Sequence, residues 1–375
     1  MRKMKVMTIV GTRPEIIRLS EVIKCCDKYF EHLLVHTGQN YDYTLNGIFF
    51  KDLGLRAPDY YLESVGGDLG ETMGNIIAKS YALMQEQKPE AVLLLGDTNS
   101  ALAAISAKRL KIPIFHMEAG NRCWDWNVSE MINRKIVDHI SDINMPYTEH
   151  SRRYLLNEGI DGKTIFVTGS PMREVLAAHA EEIDKSDVLS RLSLMKGKYI
   201  LLSAHREENI DNAENFMSLM EAVNRIAENY ALPIIYSCHP RSKKHIEARG
   251  FVFHPLVRAM QPFGFMDYNK LQKNAYCVLS DSGTLSEESA MLDFPAVLIR
   301  TSTERPEVLD KGSVVIGGIR GDDVEQAMNL AVAMHDNREP YVMAADYADT
   351  NVSVKVVKLI ESYTKIVNET VWLKR

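Results

Sequence analysis

Short runs of aliphatic and β-branched residues, without alternating polar positions, recur along this chain and are separated by segments of helical periodicity. In the first half the runs are Val6–Val10, Leu33–His36, Ala91–Leu95, Ile114–Met117, Ile143–Met145 and Ile165–Val167. Between them, helical patterns fall near Glu15–Cys26, Gly70–Gln85, Ser100–Leu110, Glu130–His139 and Glu149–Asn157. A strand that is apolar on both faces must be covered on both faces, which is the condition of a parallel sheet flanked by helices. The rhythm therefore predicts a doubly wound α/β fold.

The second half repeats the rhythm. Strands are expected at Tyr199–Ser203, Pro233–Tyr236, Val252–His254, Tyr276–Leu279, Ala296–Ile299 and Val314–Ile316. Helices are expected near Ala213–Asn229, Pro262–Gln272, Leu285–Leu292 and Val324–His335, with a last one near Val352–Val367. A chain of 375 residues is too long for one small core and suits two domains. The charged, helical stretch Pro171–Lys198 follows the last strand of the first sheet and marks the boundary. We expect a Rossmann-like domain over residues 1–172 and a second over residues 173–365, with the last helix packing back on the first domain. Two such domains facing each other form a cleft between the carboxyl edges of their sheets, where ligands of such sheets bind.

Composition excludes several classes. The net charge of −6 gives no global attraction to nucleic acid or an anionic membrane, so an anionic ligand must meet local positive groups. No apolar run approaches the roughly 20 residues of a membrane span. The basic N-terminus imitates a signal peptide, but Gly11-Thr12-Arg13-Pro14-Glu15 cuts its apolar run off after about five residues. Five cysteines (Cys25, Cys26, Cys123, Cys238 and Cys277) with no metal-ligand spacing fit buried thiols in a reducing cytoplasm. Neither G-x-G-x-x-G nor G-x-x-x-x-G-K-[ST] occurs, and no His/Asp grouping suits a metal, so neither cofactor nor metal is expected.

Most polar clusters fall just after an expected strand. Gly11–Glu15, His36–Gln39 and Gly96-Asp97-Thr98 follow the first three, and His116 and Glu118 lie at the end of the fourth. In the second half, Ala204–Asn209, Cys238–Arg241 and Ser280–Glu288 follow strands in the same way. Solvated loops would scatter such residues over both sheet edges. Ser282-Gly283-Thr284 opens a helix whose N–H groups could hold a diphosphate, although Asp281 or Ser282 could equally cap it. Glu287 or Glu288, a turn further in, could accept from a ribose diol. Arg13 and Arg18 stand early in the first helix, where cations oppose the macrodipole, so an anionic ligand explains them better than stability does. Asp97, Glu118, Glu130 and His205 supply the carboxylates and imidazole that acid–base chemistry needs, typically contributing ~10²–10⁴-fold. Structural readings compete: an Asx-type cap for Asp97, a first-turn charge for Glu130, a capping histidine for His205.

In this order, GTRPE (Gly11–Glu15), HTGQ (His36–Gln39), GDT (Gly96–Thr98), HMEAG (His116–Gly120), HREE (His205–Glu208), DSG (Asp281–Gly283) and TERPE (Thr303–Glu307) resemble the non-hydrolysing UDP-N-acetylglucosamine 2-epimerases. The resemblance runs from about Lys5 to Tyr363. Within that family, Gln39–Tyr43, Gly120–Cys123, Asn133–Asp142 and Ser203–Asp211 look most like the UDP-N-acetyl-L-fucosamine synthases, which invert C2 of UDP-2-acetamido-2,6-dideoxy-L-talose for capsule and O-antigen synthesis. The resemblance implies a glycosyltransferase-B-like fold, a homodimer, and UDP held mainly by the second domain. It implies elimination of UDP across C1–C2 to a 2-acetamidoglycal, followed by re-addition, with UDP gripped while detached. By motif, Asp97, Glu118, Glu130 and His205 match the catalytic set, and Arg13, Ser282, Gly283 and Glu288 match UDP contacts. Arg18 stands where the parent enzymes carry a phosphate-contacting lysine, and keeps its charge.

Two positions depart from the family pattern. Ser129-Glu130-Met131 stands where Pro-Glu-Glu is usual, and a thioether neither takes up a proton nor pairs usefully with arginine. Thr284 replaces a glycine of the phosphate loop, a strained choice if that position needs φ > 0. Other readings of the same residues are a UDP-GlcNAc/UDP-ManNAc 2-epimerase, a UDP-sugar glycosyltransferase, a hydrolysing relative and a non-catalytic UDP-sugar sensor.

Overall fold

The computed structural model describes residues 2–38, 49–124, 126 and 128–374. The Gln39–Tyr43 stretch lies outside the described residues, as do the side chains of Glu207 and Glu208. The chain divides into two compact units, Met1–Ala178 with Ala345–Arg375, and His179–Ala344.

The first unit is built on parallel strands β1 (Lys5–Val10), β2 (Glu31–His36), β3 (Tyr60–Tyr61), β4 (Ala91–Leu95), β5 (Ile114–Met117) and β6 (Ile143–Met145). Their order is β3-β2-β1-β4-β5-β6. Register is set by pairs such as Met7 with Leu33 and Val92, and His116 with Leu94 and Asn144. One sheet face packs Met7, Ile9, Val92 and Leu94 against Ile76, Leu83 and Met84 of the Leu69–Gln87 helix, whose N-terminus Asp68 caps by accepting from Glu71 N–H. The Arg13–Tyr29 helix buries Ile16, Leu19, Val22 and Ile23.

The second unit repeats the plan with β7 (Ile200–Ser203), β8 (Ile234–Ser237), β9 (Val257–Met260), β10 (Cys277–Ser280), β11 (Ala296–Leu298) and β12 (Val315–Ile316). Their order, β12-β11-β10-β7-β8-β9, is the same arrangement read from the other edge. Ile200, Leu202, Ile234, Tyr236 and Leu279 form its core with Phe216, Leu219, Val223 and Ile226 of the Ala213–Tyr230 helix.

Three expectations need correction. Ile165–Val167 is not a strand: Ile165 makes a single bridge to Asn144, and Phe166 and Val167 are only half-buried. Val252–His254 is loop, and the edge strand is Val257–Met260. Phe251 and Phe253 look like strand residues because they pack on the core from the loop, whereas the true strand exposes Arg258 and Ala259. The division at 172/173 also shifts. Met172–Ala178 and Ala345–Arg375 both belong to the first unit.

The terminal helix explains that shift. Val352–Thr370 buries Val352, Val356, Ile360, Thr364 and Val367, a stripe at spacings of three and four, and packs along the Arg13–Tyr29 helix. Ser353 donates from N–H (2.8 Å) and hydroxyl to Glu174, and Phe166 meets Tyr363 with ring centroids 4.8 Å apart. Each fully buried aliphatic there contributes about 1.5–3 kcal/mol. Ile360→Ala should accordingly lower unfolding stability by about 2–5 kcal/mol, read as a fall in the urea midpoint.

Candidate active site

In each sheet the order reverses once, between β1 and β4 in the first unit and between β7 and β10 in the second. Turns leaving such strands diverge and open a crevice at the carboxyl edge. GTRPE and GDT leave β1 and β4, and HREE and DSG leave β7 and β10.

At the first reversal, Glu15 ties the two turns together. Its Oε2 accepts from Gly11 N (3.0 Å), Thr12 N (2.7 Å) and Thr12 Oγ1 (2.8 Å). Its Oε1 accepts from Thr98 Oγ1 at 3.0 Å. Burial pushes its pKa up to about 7 despite these donors. Half-buried Arg13 lies over the Phe49 ring, 5.8 Å from its centroid. Thr98 rather than Asp97 caps the following turn, accepting from Ser100 N at 3.3 Å. The Asp97 carboxylate instead receives Arg134, Nε at 2.7 Å and Nη2 at 2.6 Å. Asn133 Nδ2 holds Asp97 O at 2.9 Å. Arg134 lies one turn beyond Glu130, the half-buried first residue of the Glu130–Ile140 helix.

Glu118 follows β5 with φ +62°, a left-handed conformation that costs a non-glycine residue about 1–3 kcal/mol. Its Oε2 accepts from Arg18 and its Oε1 from Asn121 Nδ2 at 3.2 Å. Gly96 (φ +70°) leaves room for it, since a Cβ there would stand 3.3 Å from Glu118 Oε2. Beneath this turn runs a buried ion chain. His116 Nδ1 stands 2.9 Å from Asp138 Oδ1, and its Nε2 meets Gly96 O at 2.7 Å. Asp138 Oδ2 accepts from Gly120 N (3.1 Å) and Arg122 Nη1 (2.8 Å), and Arg122 grips Glu158 with two bonds of 2.9 and 2.7 Å.

In the second unit, fully buried Asp281 accepts at Oδ2 from His205 N and Arg206 N, both at 2.9 Å, and from Asn209 Nδ2 at 3.2 Å. Its Oδ1 lies 3.3 Å from Nδ1 of His205, whose side chain is 41% exposed. The Thr284–Leu292 helix has Gly283 at its N-cap and no side-chain cap bond. Ser282 Oγ pairs with Thr284 Oγ1 at 2.9 Å. A Cβ on Gly283 would come within 2.6 Å of Glu304 Oε1, which accepts from Arg206 Nη2 at 3.0 Å, while Glu304 Oε2 accepts from Arg300 at 2.7 Å. Gln272 Nε2 donates to Glu288 Oε2 at 2.6 Å.

A family profile described as UDP-N-acetylglucosamine 2-epimerase matches residues 24–361. The chain belongs to the UDP-N-acetylglucosamine 2-epimerase family. A solved UDP-N-acetylglucosamine 2-epimerase from Rickettsia bellii is 45% identical over 100% of both chains, with a TM-score of 0.91. The Methanocaldococcus jannaschii UDP-GlcNAc 2-epimerase, solved in complex with UDP-GlcNAc and UDP, is 32% identical over 96% of this chain and 99% of its own, with a TM-score of 0.89. A Pseudomonas aeruginosa UDP-2,3-diacetamido-2,3-dideoxy-D-glucuronate 2-epimerase is 34% identical over 90% of this chain and 96% of its own.

Against the expectations for a 2-epimerase, the structure brings Arg18 to Glu118 and ties Asp97 to the helix that carries Glu130. His205 is joined to Asp281. Glu287 is fully buried and paired with Arg305 at 2.6 Å, while Glu288 lies on Gln272. Thr284 opens a right-handed helix and is absent from the positive-φ residues, so the strain expected of it does not arise. Met131 is buried with Cys123 and Val128, its Sδ 3.4 Å from Arg134 Nη1. Residue-type reasoning passed over Glu15, Arg134, Asp138 and Glu304, although each lies in or beside a quoted motif.

The His116–Asp138 pair has a definite pH signature. Burial opposes the imidazolium, but the Asp138 carboxylate outweighs it and raises the His116 pKa above 6.5. Burial likewise opposes the Asp138 carboxylate, and His116 and Arg122 outweigh it and lower its pKa below 3.8. The histidine's contribution is complete below its unfolded pKa and is lost as pH rises through the raised folded value. The aspartate's is complete above its unfolded pKa and is lost as pH falls through the lowered one. Asp138→Asn should therefore cost about 3–5 kcal/mol between about pH 4 and 6.5 and less at alkaline pH, measured by chemical denaturation across that range.

Proposed function

We propose that this protein epimerises C2 of the sugar in a UDP-N-acetylhexosamine, by eliminating UDP to a 2-acetamidoglycal and re-adding it. The observation that carries the reading is the set of acid–base groups that follow the parallel strands of the two sheets, together with a helix that opens at Gly283 directly after β10. C2 has no adjacent carbonyl, so its proton is not acidic and direct deprotonation at neutral pH is prohibitively slow. Elimination avoids that carbanion. The C2–H and C1–O bonds break, C1=C2 forms, the proton passes to a side chain and the electron pair leaves with UDP. Re-addition reverses these steps with the proton delivered to the opposite face.

Two faces require two proton carriers, and Asp97, Glu118, Glu130 and His205 are our candidates. Arg13 and the N–H groups of Ser282, Gly283 and Thr284 suit the diphosphate, since the helix dipole favours an anion there. Glu288 is our candidate for the ribose hydroxyls. For the sugar we favour UDP-2-acetamido-2,6-dideoxy-L-talose, supported by the Gly120–Cys123, Asn133–Asp142 and Ser203–Asp211 stretches. UDP-GlcNAc is the second reading, supported by the name borne by the Rickettsia and Methanocaldococcus relatives.

NMR in D₂O, with each sugar nucleotide separately and no acceptor, tests this directly. We expect deuterium at C2 together with the epimer, faster with the deoxytalose substrate. UDP binding without exchange at C2 in either sugar would overturn the assignment. Glu130→Gln should cut turnover by about 10²–10⁴-fold, while the UDP Kd measured by calorimetry stays within about threefold. Ser282→Asp should weaken UDP binding by about tenfold or more, because a carboxylate then faces the phosphates.

A further inference from the structure

Both ring nitrogens of His116 face acceptors. Nδ1 stands 2.9 Å from the Asp138 carboxylate and Nε2 stands 2.7 Å from the Gly96 carbonyl, and the side chains of His116 and Asp138 are each 1% exposed. A neutral imidazole has one N–H and one lone pair. With the proton on Nδ1, the Nε2 lone pair meets the Gly96 oxygen. With the proton on Nε2, the Nδ1 lone pair meets the carboxylate. Only the imidazolium gives each acceptor a donor.

The charges around the ring favour that form. Burial opposes the imidazolium, but the Asp138 carboxylate, helped by Glu118 two residues along the chain, outweighs it and raises the His116 pKa. Asp138 is itself kept ionised against burial by His116 and by Arg122, which bonds its other oxygen at 2.8 Å and passes on to Glu158. Asp97, on the turn beyond Gly96, is taken up by Arg134.

The Glu130–Ile140 helix reaches the Gly96-Asp97 turn by three routes. Asn133 Nδ2 holds Asp97 O at 2.9 Å, and Arg134 holds the Asp97 carboxylate. The third route starts at Asp138, one helical turn after Arg134, and runs through the His116 ring to Gly96 O. Of the three, this one passes through an imidazole, a group whose charge changes within reach of neutral pH.

We infer that His116 is a positioning residue for Asp97: as a buried imidazolium held by Asp138, it donates from Nε2 to Gly96 O and so fixes the Gly96-Asp97 turn against the helix that carries Glu130. When the ring loses a proton at alkaline pH, the remaining one stays on Nδ1, because a carboxylate accepts more strongly than a carbonyl. Nε2 then turns a lone pair toward Gly96 O. The turn is therefore held below the raised His116 midpoint and released above it. The importance of Asp97 to turnover rests on the function proposed above, whereas the protonation of His116 and its hold on Gly96 do not.

The first measurement is accordingly independent of turnover. The ring ¹⁵N signals of His116 and the carbonyl ¹³C signal of Gly96, assigned through bonds in the parent protein, are followed as pH rises. Both ring nitrogens should be protonated at neutral pH, with a midpoint above the roughly 6.5 of an unperturbed histidine, and the Gly96 carbonyl should shift with the same midpoint. A ring that is neutral at neutral pH, or a Gly96 carbonyl that does not follow the ring, overturns the proposal.

Two substitutions then separate the two bonds, and both remove the charge. The amide of His116→Gln reaches the place of Nε2 and keeps a donor for Gly96 O, while that of His116→Asn reaches the place of Nδ1 and keeps a donor for Asp138. His116→Asn should lower kcat about tenfold or more, the effect of a displaced reacting group, with UDP affinity within about threefold of the parent. His116→Gln should keep kcat within about threefold of the parent at neutral pH and lose the alkaline fall in kcat that follows the His116 midpoint. Equal kcat in the two variants would reduce the histidine to a structural role and overturn the proposal. Should either variant fail to fold, the parent titration decides. A parent protein that exchanges no C2 proton would sink the epimerase reading and leave the same titration to decide whether His116 holds the turn.

Discussion

Asp138 is fully buried, and its carboxylate receives three groups from the segment that carries Glu118: the His116 ring, the Gly120 N–H and the Arg122 guanidinium. Glu118 sits inside that span, so its left-handed backbone is over-determined from both sides. Through His116 Nε2 the same anchor reaches Gly96 O, and so the turn that presents Asp97. A carboxylate taken out of water costs several kcal/mol unless its lone pairs are met. Here they are met by groups from one short stretch, so the cost of burial fixes geometry at the candidate site.

The second unit uses the same device with other partners. Asp281 is fully buried at the end of β10, and it collects the N–H groups of His205 and Arg206 across the strand reversal. Where the sheet order turns back, a buried carboxylate bridges the two turns in each unit, Glu15 in the first and Asp281 in the second. Asp281 faces the β7 turn, and at the start of the helix that follows β10 it is Ser282 Oγ that accepts from Thr284 N–H, at 3.4 Å.

Central strands were legible because each is apolar on both faces, a pattern that few other structures produce. Edges were not. Val257–Met260 pairs on one side only and exposes Arg258, while the more hydrophobic Phe251 and Phe253 lie in a loop. The terminal helix was legible as a helix, but the residues that return with it to the first unit were not, since a boundary in contacts leaves no mark on composition. Motif residues were legible as residues, yet their partners were not. Nothing in Arg18 alone separates a phosphate contact from a carboxylate counter-ion, and Glu287 and Glu288 are chemically identical until the helix phase points one at Arg305 and the other at Gln272.

Met131 shows how a departure from a family pattern can be absorbed. A glutamate at this position, beside Arg134, would compete with Asp97 for the same guanidinium in a pocket shared with Cys123 and Val128. Burying a second carboxylate there demands a second set of donors. Methionine removes that demand. Its thioether fills the volume while Nε and Nη2 of Arg134 hold Asp97. The exchange therefore simplifies the electrostatics around Asp97 instead of leaving a buried charge unmet, and Glu130, one residue earlier at the helix start, keeps its half-exposed place unaltered.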